Sequence, residues 1–192
     1  MDILVVRRPR LDRWRDRPFV DVTRTGREHE DVYERDVGTE PPGGPGPVFR
    51  TVQTSILRYS IFPPSLVAGV LDREPVAVGD AVGVHFVRFR IVRLFFAARV
   101  TDVFDRVDGD WARAGFTYRT LVGHPELGEE TFSVEKHLAT GRVRVALRSW
   151  SRPGTRLARL FAPIVRAMQV DASRRALDHL AAVARDPSAT PS

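Results

Sequence analysis

The residues between Gly123 and Glu130 contain the densest group of side chains that could take part in chemistry. One histidine, His124, stands close to three carboxylates, those of Glu126, Glu129 and Glu130. Because an imidazole titrates near neutral pH, His124 could act as a general base, with Glu126 or Glu129 orienting its ring. The segment joins two predicted strands, a place where functional residues are often displayed.

The same segment also has a structural interpretation. It contains two glycines and a proline, which are turn residues, so its glutamates could simply cap or solvate a wide turn. Glu130 lies next to a predicted strand and could pair with an arginine such as Arg119. We treat His124, Glu129 and Glu130 as the candidates for catalysis and leave both interpretations open.

Motifs for metals and cofactors do not occur in the sequence. There is no H-x-x-x-H or E-x-x-H pattern, and the histidines other than His124 are scattered. The lack of cysteine excludes disulfides, thiolate metal sites and a cysteine nucleophile. No G-x-S-x-G elbow, G-x-G-x-x-G fingerprint or Walker loop is present, and the GGPG run at residues 43–46 contains a proline that removes an amide donor. We therefore expect neither a metal nor a cofactor.

Three large amphipathic side chains, those of Tyr59, Tyr118 and Trp150, could line a cavity with their polar ends toward a ligand. They could equally be core residues whose polar tips are hydrogen-bonded. Arg58 could supply a further polar contact. The predicted ligand-binding residues are Arg58, Tyr59, Tyr118, His124, Glu126 and Trp150.

The charge of the chain gives little support to nucleic-acid binding. The formal net charge is +6, but all of the 30 basic residues except Lys136 are arginines, which indicates a compositional bias, and they are dispersed. Between Val84 and Phe95 arginines alternate with phenylalanines, a pattern that can bind nucleic acid but is more typical of a solvated sheet face. Nucleic acid is therefore a disfavoured partner.

No segment has the length or composition of a membrane span or a secretion signal. The most apolar stretch, Ile91–Val100, is interrupted by Arg93 and Arg99, whereas a span needs about 20 apolar residues. Near the N-terminus only four consecutive apolar residues occur, between Asp2 and Arg7. Together with the lack of cysteine, this predicts a cytoplasmic protein. The oligomeric state is left open.

The first part of the chain is charge-rich, with short strands expected at Phe19–Val22 and Val32–Val37. Residues 39–47 (TEPPGGPGP) predict a flexible loop. A helix is then predicted from apolar residues spaced three and four apart, namely Phe49, Val52, Ile56 and Tyr59. Pro63 and Pro64 are expected to end it, and Ser65–Leu71 to add a short helical turn.

Beyond this helix the apolar period changes to two, and β-branched and aromatic residues are enriched. Strands are predicted at Val76–Phe89, Ile91–Asp105, Ala114–Leu121, Thr131–His137 and Arg142–Ser151. Asp108-Gly109 predicts a tight hairpin turn, because glycine tolerates a positive φ. Alternation in the second strand is expected to place four residues on one face: Ala98, Val100, Asp102 and Phe104.

A long amphipathic helix follows the last strand. Its predicted apolar stripe comprises Leu157, Leu160, Phe161, Ile164, Val165, Met168, Ala172, Leu177, Leu180 and Val183. Pro153 is expected near its start, Pro163 is expected to kink it, and residues 186–192 predict a disordered tail.

These elements together predict an α+β helix-grip fold, because the apolar stripe of the last helix needs a sheet face for burial. In this fold an antiparallel curved β-sheet wraps around a long C-terminal helix, and a cavity often remains between them. We expect one such domain over residues 48–185. Residues 1–47, with their strands and Pro/Gly loop, are expected to be part of it or appended to it.

Three runs of sequence resemble a known family. They are LRYSIFP at residues 57–63, GFTYRTLVGHPELGEETF at residues 115–132 and SWSRP at residues 149–153. They resemble the bacterial and plant domain of unknown function 1990 family over roughly residues 48–180, with the GHP-x-x-GEE core as the specific part. The resemblance implies no mechanism, since that family has no established activity. The order of elements is also similar to polyketide-cyclase-like and lipid-transfer proteins of the helix-grip superfamily.

Three kinds of function are compatible with these sequence features. A binding module would hold a small, mostly apolar ligand between sheet and helix, with polar contacts from Tyr118, Arg58 or the His124 segment. An enzyme on the same scaffold would use His124 with Glu129 or Glu130 for cyclase-, hydrolase- or dehydratase-like proton transfer. A structural or interaction protein would have a filled core and no pocket.

Overall fold

The computed structural model describes residues 10–21, 23, 26, 28–86, 94–153 and 162–186. Its elements in chain order are a short 3-10 turn (Leu11–Arg13), β1 (His29–Thr39), α1 (Pro47–Leu57), β2 (Val67–Leu71), β3 (Ala81–Phe86), β4 (Leu94–Asp108), β5 (Trp111–Thr120), β6 (Glu126–His137), β7 (Arg142–Pro153) and α2 (Ala162–Arg185).

The seven described strands form one antiparallel sheet in the order β1-β7-β6-β5-β4-β3-β2. Strands β2 to β7 follow one another as a meander, and β1 returns to pair with β7. The sheet is curved, and α1 and α2 pack against its inner face and against each other. This arrangement confirms the predicted α+β helix-grip fold.

One main core fills the space between the sheet and the helices. The helices bury apolar residues at the spacing that the sequence predicts: Phe49, Val52 and Ile56 of α1, and Leu177, Leu180 and Val183 of α2. Phe116 and Phe132 are the largest fully buried side chains among the described residues of the sheet. Residues 157–161 of the predicted stripe, the side chains of Ile164 and Val165, and the tail from residue 187 lie outside the described residues.

The sequence predicts two prolines at the last helix, Pro153 near its start and Pro163 at a kink. Pro153 is the final residue of β7. Pro163 is the second residue of α2 as described, and residues 154–161 lie outside the described residues, so the kink expected at Pro163 stays a prediction.

The prediction for residues 63–71 was wrong. α1 already ends at Leu57, well before Pro63 and Pro64. Val67–Leu71 is strand β2, paired along its length with β3, and not a helical turn. Strand pairing outweighs the weak local preference of this short segment.

The predicted common face in the second strand was also wrong. Ala98 and Val100 point into the core, but the pairing of β4 with β5 shifts between Val100 and Asp102. This bulge adds one residue and reverses the alternation, so that Val103 packs against the core and Asp102 is exposed. The hairpin turn at Asp108-Gly109 is confirmed, with a positive φ of 58° at Gly109.

Strands β3, β5 and β6 begin at residues other than those predicted. β3 begins at Ala81 and not at Val76, and residues 87–93 lie outside the described residues. β5 begins earlier than predicted, at Trp111. β6 begins at Glu126, so the glutamates of the 123–130 segment are strand residues and not loop residues. Glutamate has a low strand propensity, which pairing with both β5 and β7 overrides here.

Residues 10–21 cover part of the outer face of the sheet. Leu11 and Trp14 are buried there against Phe95, Ala97 and Leu121. A single bridge pairs Phe19 with Leu121, whereas Val22, the end of the strand expected there, lies outside the described residues. The strand expected at Val32–Val37 is confirmed as the middle of β1.

The Pro/Gly loop between β1 and α1 is held in place by a buried ion pair. The carboxylate of Glu40 accepts hydrogen bonds from the N–H groups of Gly46 and Phe49, at 2.9 and 3.0 Å, in the first turn of α1. Lys136 lies 3.0 Å from Glu40 and donates to the carbonyls of Pro41 and Gly44. The expected flexible loop is therefore an anchored one. It is built around the one lysine of the sequence, whose compact ammonium suits this enclosure better than a larger, planar guanidinium would.

Removing either charge of the Glu40–Lys136 pair is expected to destabilise the fold. Both side chains are almost fully buried, with exposures of 3% and 1%. Glu40→Gln and Lys136→Met would each leave an uncompensated buried charge, so each should lower the unfolding free energy in urea titrations by about 3–5 kcal/mol. Arg142→Gln is the control, because it breaks an exposed ion pair with Asp36 and should cost little. Equal losses in the control would contradict a structural role for the buried pair.

Candidate functional site

A cavity of about 310 Å³ lies between the inner face of the sheet and the first turns of α2. Its walls are largely aromatic and aliphatic: Tyr33, Tyr59, Phe62, Val67, Val84, Phe96 and Tyr118. On the helix side it is bounded by short or flexible side chains: Met168, Gln169, Ala172 and Ser173. Its charged side chains among the described residues are those of Asp31, Glu126, Glu130 and Arg166.

Tyr59 is positioned by the way in which α1 ends. Its own N–H donates to the carbonyl of Ile56, and the N–H of Ser60 donates to that of Ser55, which is the Schellman pattern. This pattern needs a left-handed residue, and Tyr59 supplies it with a φ of 56°, a conformation that costs a non-glycine residue energy. Strand β2 has Gly69 beneath the ring, where a Cβ atom would lie 2.6 Å from Tyr59 Cδ1.

The ring of Tyr59 is part of an aromatic cluster at the base of the cavity. It lies 6.2 Å from the ring of Phe62, 6.2 Å from that of Phe116 and 6.3 Å from that of Phe132, measured between centroids. Tyr118 packs 5.6 Å from Phe132 in the same cluster. These contacts hold both tyrosines rigidly.

The hydroxyl of Tyr59 is buried and makes no hydrogen bond of normal geometry with a described group, although the Tyr118 hydroxyl lies near it. The residue is 5% exposed, and no described group makes a hydrogen bond of normal geometry to Tyr59 Oη. Burial raises the pKa of this hydroxyl far above its ordinary value, and the charge of nearby Glu130 raises it further, whereas the Tyr118 hydroxyl lowers it. A buried polar atom without a partner costs about 1–3 kcal/mol.

Glu130 is a carboxylate that faces the cavity from β6. The hydroxyl of Tyr118, its register partner on β5, donates to Glu130 Oε2 at 2.6 Å. Burial raises the pKa of Glu130 to about 7, against the opposing effect of the Tyr118 hydrogen bond. Glu126 and Asp31 also raise it through their negative charges. This carboxyl can therefore exchange a proton near neutral pH.

His124 lines the cavity but is held by the backbone and not by a carboxylate. Its Nδ1 lies 2.8 Å from the carbonyl oxygen of Glu126 and 3.0 Å from the N–H of the same residue. The ring packs edge-on against Phe96 at 4.5 Å. Burial lowers the pKa of His124 to about 4, so the ring is neutral at pH 7 and is a poor base there.

Asp31 and Arg166 form an ion pair at the cavity that joins β1 to α2. The hydrogen bond from Arg166 lowers the pKa of Asp31, so this carboxylate stays ionised. The sequence analysis thus did not identify Asp31 and Arg166 as cavity residues. They are 135 residues apart in the chain, and no local pattern connects them.

The structure brings most of the predicted site residues together, but not all of them. The residues that line the cavity are Tyr59, Tyr118, His124, Glu126, Glu129 and Glu130. Arg58 caps the end of α1 and is exposed, and it is not among the cavity residues. Trp150 faces the outside of the sheet, because its Nε1 donates to Glu129 Oε2 at 3.2 Å on that face.

Glu129 and Glu130 point to opposite faces, as successive strand residues must. On the outer face Arg119 donates to Glu129 Oε1, so the partner of Arg119 is Glu129 and not Glu130 as the sequence suggested. Only backbone atoms of Glu129 can therefore border the cavity.

The described residues contain no cluster of three or more histidine, aspartate or glutamate side chains arranged to hold a metal ion. Neither described helix is long and apolar enough to cross a membrane.

Residues 20–179 match the family described as Domain of unknown function (DUF1990). The chain belongs to this family. The resemblance expected from the sequence is thereby confirmed, and the match begins earlier than residue 48, so β1 is part of the family's domain. No curated protein sequence matches the chain.

Several solved structures resemble this DUF1990 protein in fold. The hypothetical protein jhp0584 from Helicobacter pylori is 14% identical, with a TM-score of 0.55, over 96% of this chain and 99% of that one. Major latex-like protein 151 from Panax ginseng is 11% identical, with a TM-score of 0.51, over 81% and 96%. The KanY protein is 12% identical, with a TM-score of 0.51, over 82% and 98%. At these identities the similarity establishes the helix-grip fold alone.

Tyr59→Phe is expected to leave the protein as stable as before or to stabilise it by about 1 kcal/mol, because it removes a buried hydroxyl that has no partner. Tyr118→Phe, the matched change, should destabilise it at about pH 8, because Glu130 loses the donor to Oε2. Urea titrations of both variants test this. A loss in Tyr59→Phe as large as that in Tyr118→Phe would show that the Tyr59 hydroxyl has a stabilising partner.

Glu130 is expected to destabilise the folded protein as the pH rises from about 5 to about 8. Its folded pKa of about 7 exceeds its ordinary value of 4.5, so the folded state retains a proton that the unfolded state has lost, and this advantage disappears as Glu130 ionises. Relative to the parent, Glu130→Gln should therefore gain about 2–3 kcal/mol of unfolding free energy across this range.

The comparison with Glu130→Gln is needed because the titration of His124 changes the unfolding free energy in the opposite direction. Its folded pKa of about 4 lies below the ordinary 6.5, so it adds stability as the pH rises between these values. Urea titrations of parent and Glu130→Gln at several pH values isolate the Glu130 contribution. A difference that does not change with pH would mean that the pKa of Glu130 is not raised.

Proposed function

We propose that this protein binds a small, mostly apolar molecule in the cavity between the sheet and α2. The observation that carries the proposal is the cavity itself, about 310 Å³ in volume and walled by aromatic and aliphatic side chains. Protein interiors are normally packed as tightly as organic crystals and leave few voids of this size. Ligand sites typically have about this volume, apolar walls and a few convergent polar groups.

The polar groups of the cavity support recognition of one polar atom on the ligand. Tyr118 and Glu130 are hydrogen-bonded to each other at 2.6 Å, and Tyr59 lies close to both. Tyr59 combines a strained backbone with an unpartnered hydroxyl, and such costs are concentrated at functional sites. A structural protein with a filled core would gain nothing from them.

Nucleic-acid binding has little support from the described arginines of the outer sheet face. Arg144 and Arg148 both pair with Glu34 and Glu135, and Arg119 pairs with Glu129. Their charges are therefore already matched by carboxylates, whereas phosphate binding needs cations that are available to the backbone of the nucleic acid.

Acid–base catalysis is a second candidate function, supported by one observation. The pKa of Glu130 is raised to about 7, and this carboxyl faces the cavity. A group with such a pKa can both accept and donate a proton at neutral pH. The catalytic residue of this alternative is Glu130 and not His124, whose imidazole is kept neutral by burial.

Filling the cavity is expected to abolish binding of an apolar probe. Ala172→Trp would place an indole in the cavity from α2. The probe is N-phenyl-1-naphthylamine, a neutral fluorescent molecule, which should bind the parent protein. It should bind the variant at least about tenfold more weakly. Fluorescence titration measures both affinities.

Ala182→Trp is the matched control, since it adds the same side chain at an exposed position of α2. It should bind the probe as the parent does. If Ala172→Trp is folded by circular dichroism and still binds the probe with the affinity of the parent, the cavity is not the binding site.

A further inference from the structure

We propose that the ligand is an apolar or aromatic amine, bound as its ammonium form through Glu130. This inference rests on the proposed function and adds to it the chemical class of the ligand. Its basis is the charge balance of the cavity together with two polar atoms there that lack partners.

The described side chains give the cavity an excess of negative charge. Arg166 is the one cation among the described cavity residues, and its charge is already matched by Asp31. His124 is neutral at pH 7. The carboxylates of Glu126 and Glu130 remain without a cationic partner among the described residues. An anionic ligand would be repelled here, whereas a cation would compensate the charge.

Glu130 has one oxygen available to a ligand. Tyr118 occupies Oε2, and no described group donates a hydrogen bond to Oε1. The hydroxyl of Tyr59, a residue that is only 5% exposed, likewise has no partner and lies close to Glu130. A primary ammonium carries three N–H donors, so one group can supply both atoms. A charge-assisted bond to Glu130 is also the strongest type that this site can form.

The aromatic walls suit a cation as well as an apolar body. Tyr59, Phe62 and Tyr118 surround the polar end, and the π faces of such rings attract cations. A neutral alcohol of the same shape would keep the apolar contacts but would gain neither the ion pair nor the cation–π attraction. The difference between such a pair of ligands therefore isolates the inferred recognition.

The test compares matched probes that differ in one group. 1-Naphthylmethylamine, 1-naphthylmethanol and 1-naphthoate would be titrated into the full chain by calorimetry at about pH 8. The amine should bind at least about tenfold more tightly than the alcohol, and the anion should bind most weakly. Lowering the pH to about 5.5 should remove the advantage of the amine, because Glu130 becomes protonated while the amine stays charged.

This pH dependence depends on the groups that face Glu130 from each neighbouring element. They are Tyr118 on β5, His124 just before β6, Glu126 at its start, Asp31 and Tyr33 on β1, Arg166 on α2, and Tyr59 after α1. Of these, His124 is neutral above pH 5, and Asp31 stays ionised because Arg166 lowers its pKa. The change between pH 5.5 and 8 therefore reports mainly on Glu130.

Two variants assign the effect to Glu130. Glu130→Gln keeps the shape but removes the charge, so it should weaken amine binding by at least about tenfold and abolish the preference for the amine over the alcohol. Glu74→Gln, the same change at an exposed loop position away from the cavity, should retain the tenfold preference. The comparison of amine with alcohol on the parent needs no variant, so it remains decisive if Glu130→Gln fails to fold.

The outcomes separate this inference from the proposed function. If amine and alcohol bind equally, and Ala172→Trp abolishes both, the cavity binds ligands but the amine assignment is wrong. Tighter binding of 1-naphthoate would also overturn the assignment. If no probe binds the parent, the proposed function fails together with the inference.

Discussion

Burial of α2 against the curved sheet is the interaction that decides where the cavity lies. The second half of the helix fills the core with Leu177, Leu180 and Val183, which are nearly or fully buried. Earlier in the helix, Gln169, Ala172 and Ser173 border the cavity with side chains that are too short or too polar to fill it. The C-terminal half of α2 therefore fills the core, and the residues before it leave a cavity. The difference arises because the side chains that face the sheet change in size and polarity along the helix.

The register between β5 and β6 decides which polar groups enter that cavity. Tyr118 is paired with Glu130, and Arg119 with Glu129. Since successive strand residues face opposite sides, the tyrosine–carboxyl pair points inward while the arginine–carboxylate pair points outward. A slip of one residue would exchange them and bury an arginine, so the buried core that specifies the register also specifies the polarity of the site.

Prediction from the sequence succeeded where periodicity was strong and failed where distant residues decide the structure. The change from a three-to-four to a two-residue period was enough to predict the helix-grip fold. Residue type alone singled out Tyr59, Tyr118 and Glu130. The ion pair of Asp31 with Arg166 was beyond such reasoning, because each residue looks like an ordinary surface charge until β1 and α2 are placed side by side.

The energetic cost of the cavity is the strongest reason for regarding it as functional. Tyr59 combines a left-handed backbone with an unpartnered hydroxyl, and Glu130 is a carboxyl whose ionisation burial opposes. Phenylalanine and glutamine at these positions would remove two of these costs without changing the shape of the walls. Stability alone would therefore favour these two substitutions. The left-handed backbone of Tyr59, its hydroxyl and the carboxyl of Glu130 all lie at the same end of the cavity. A ligand of the kind we propose would compensate for these costs, because binding to the folded state alone adds stability that grows with the affinity and the concentration of the ligand.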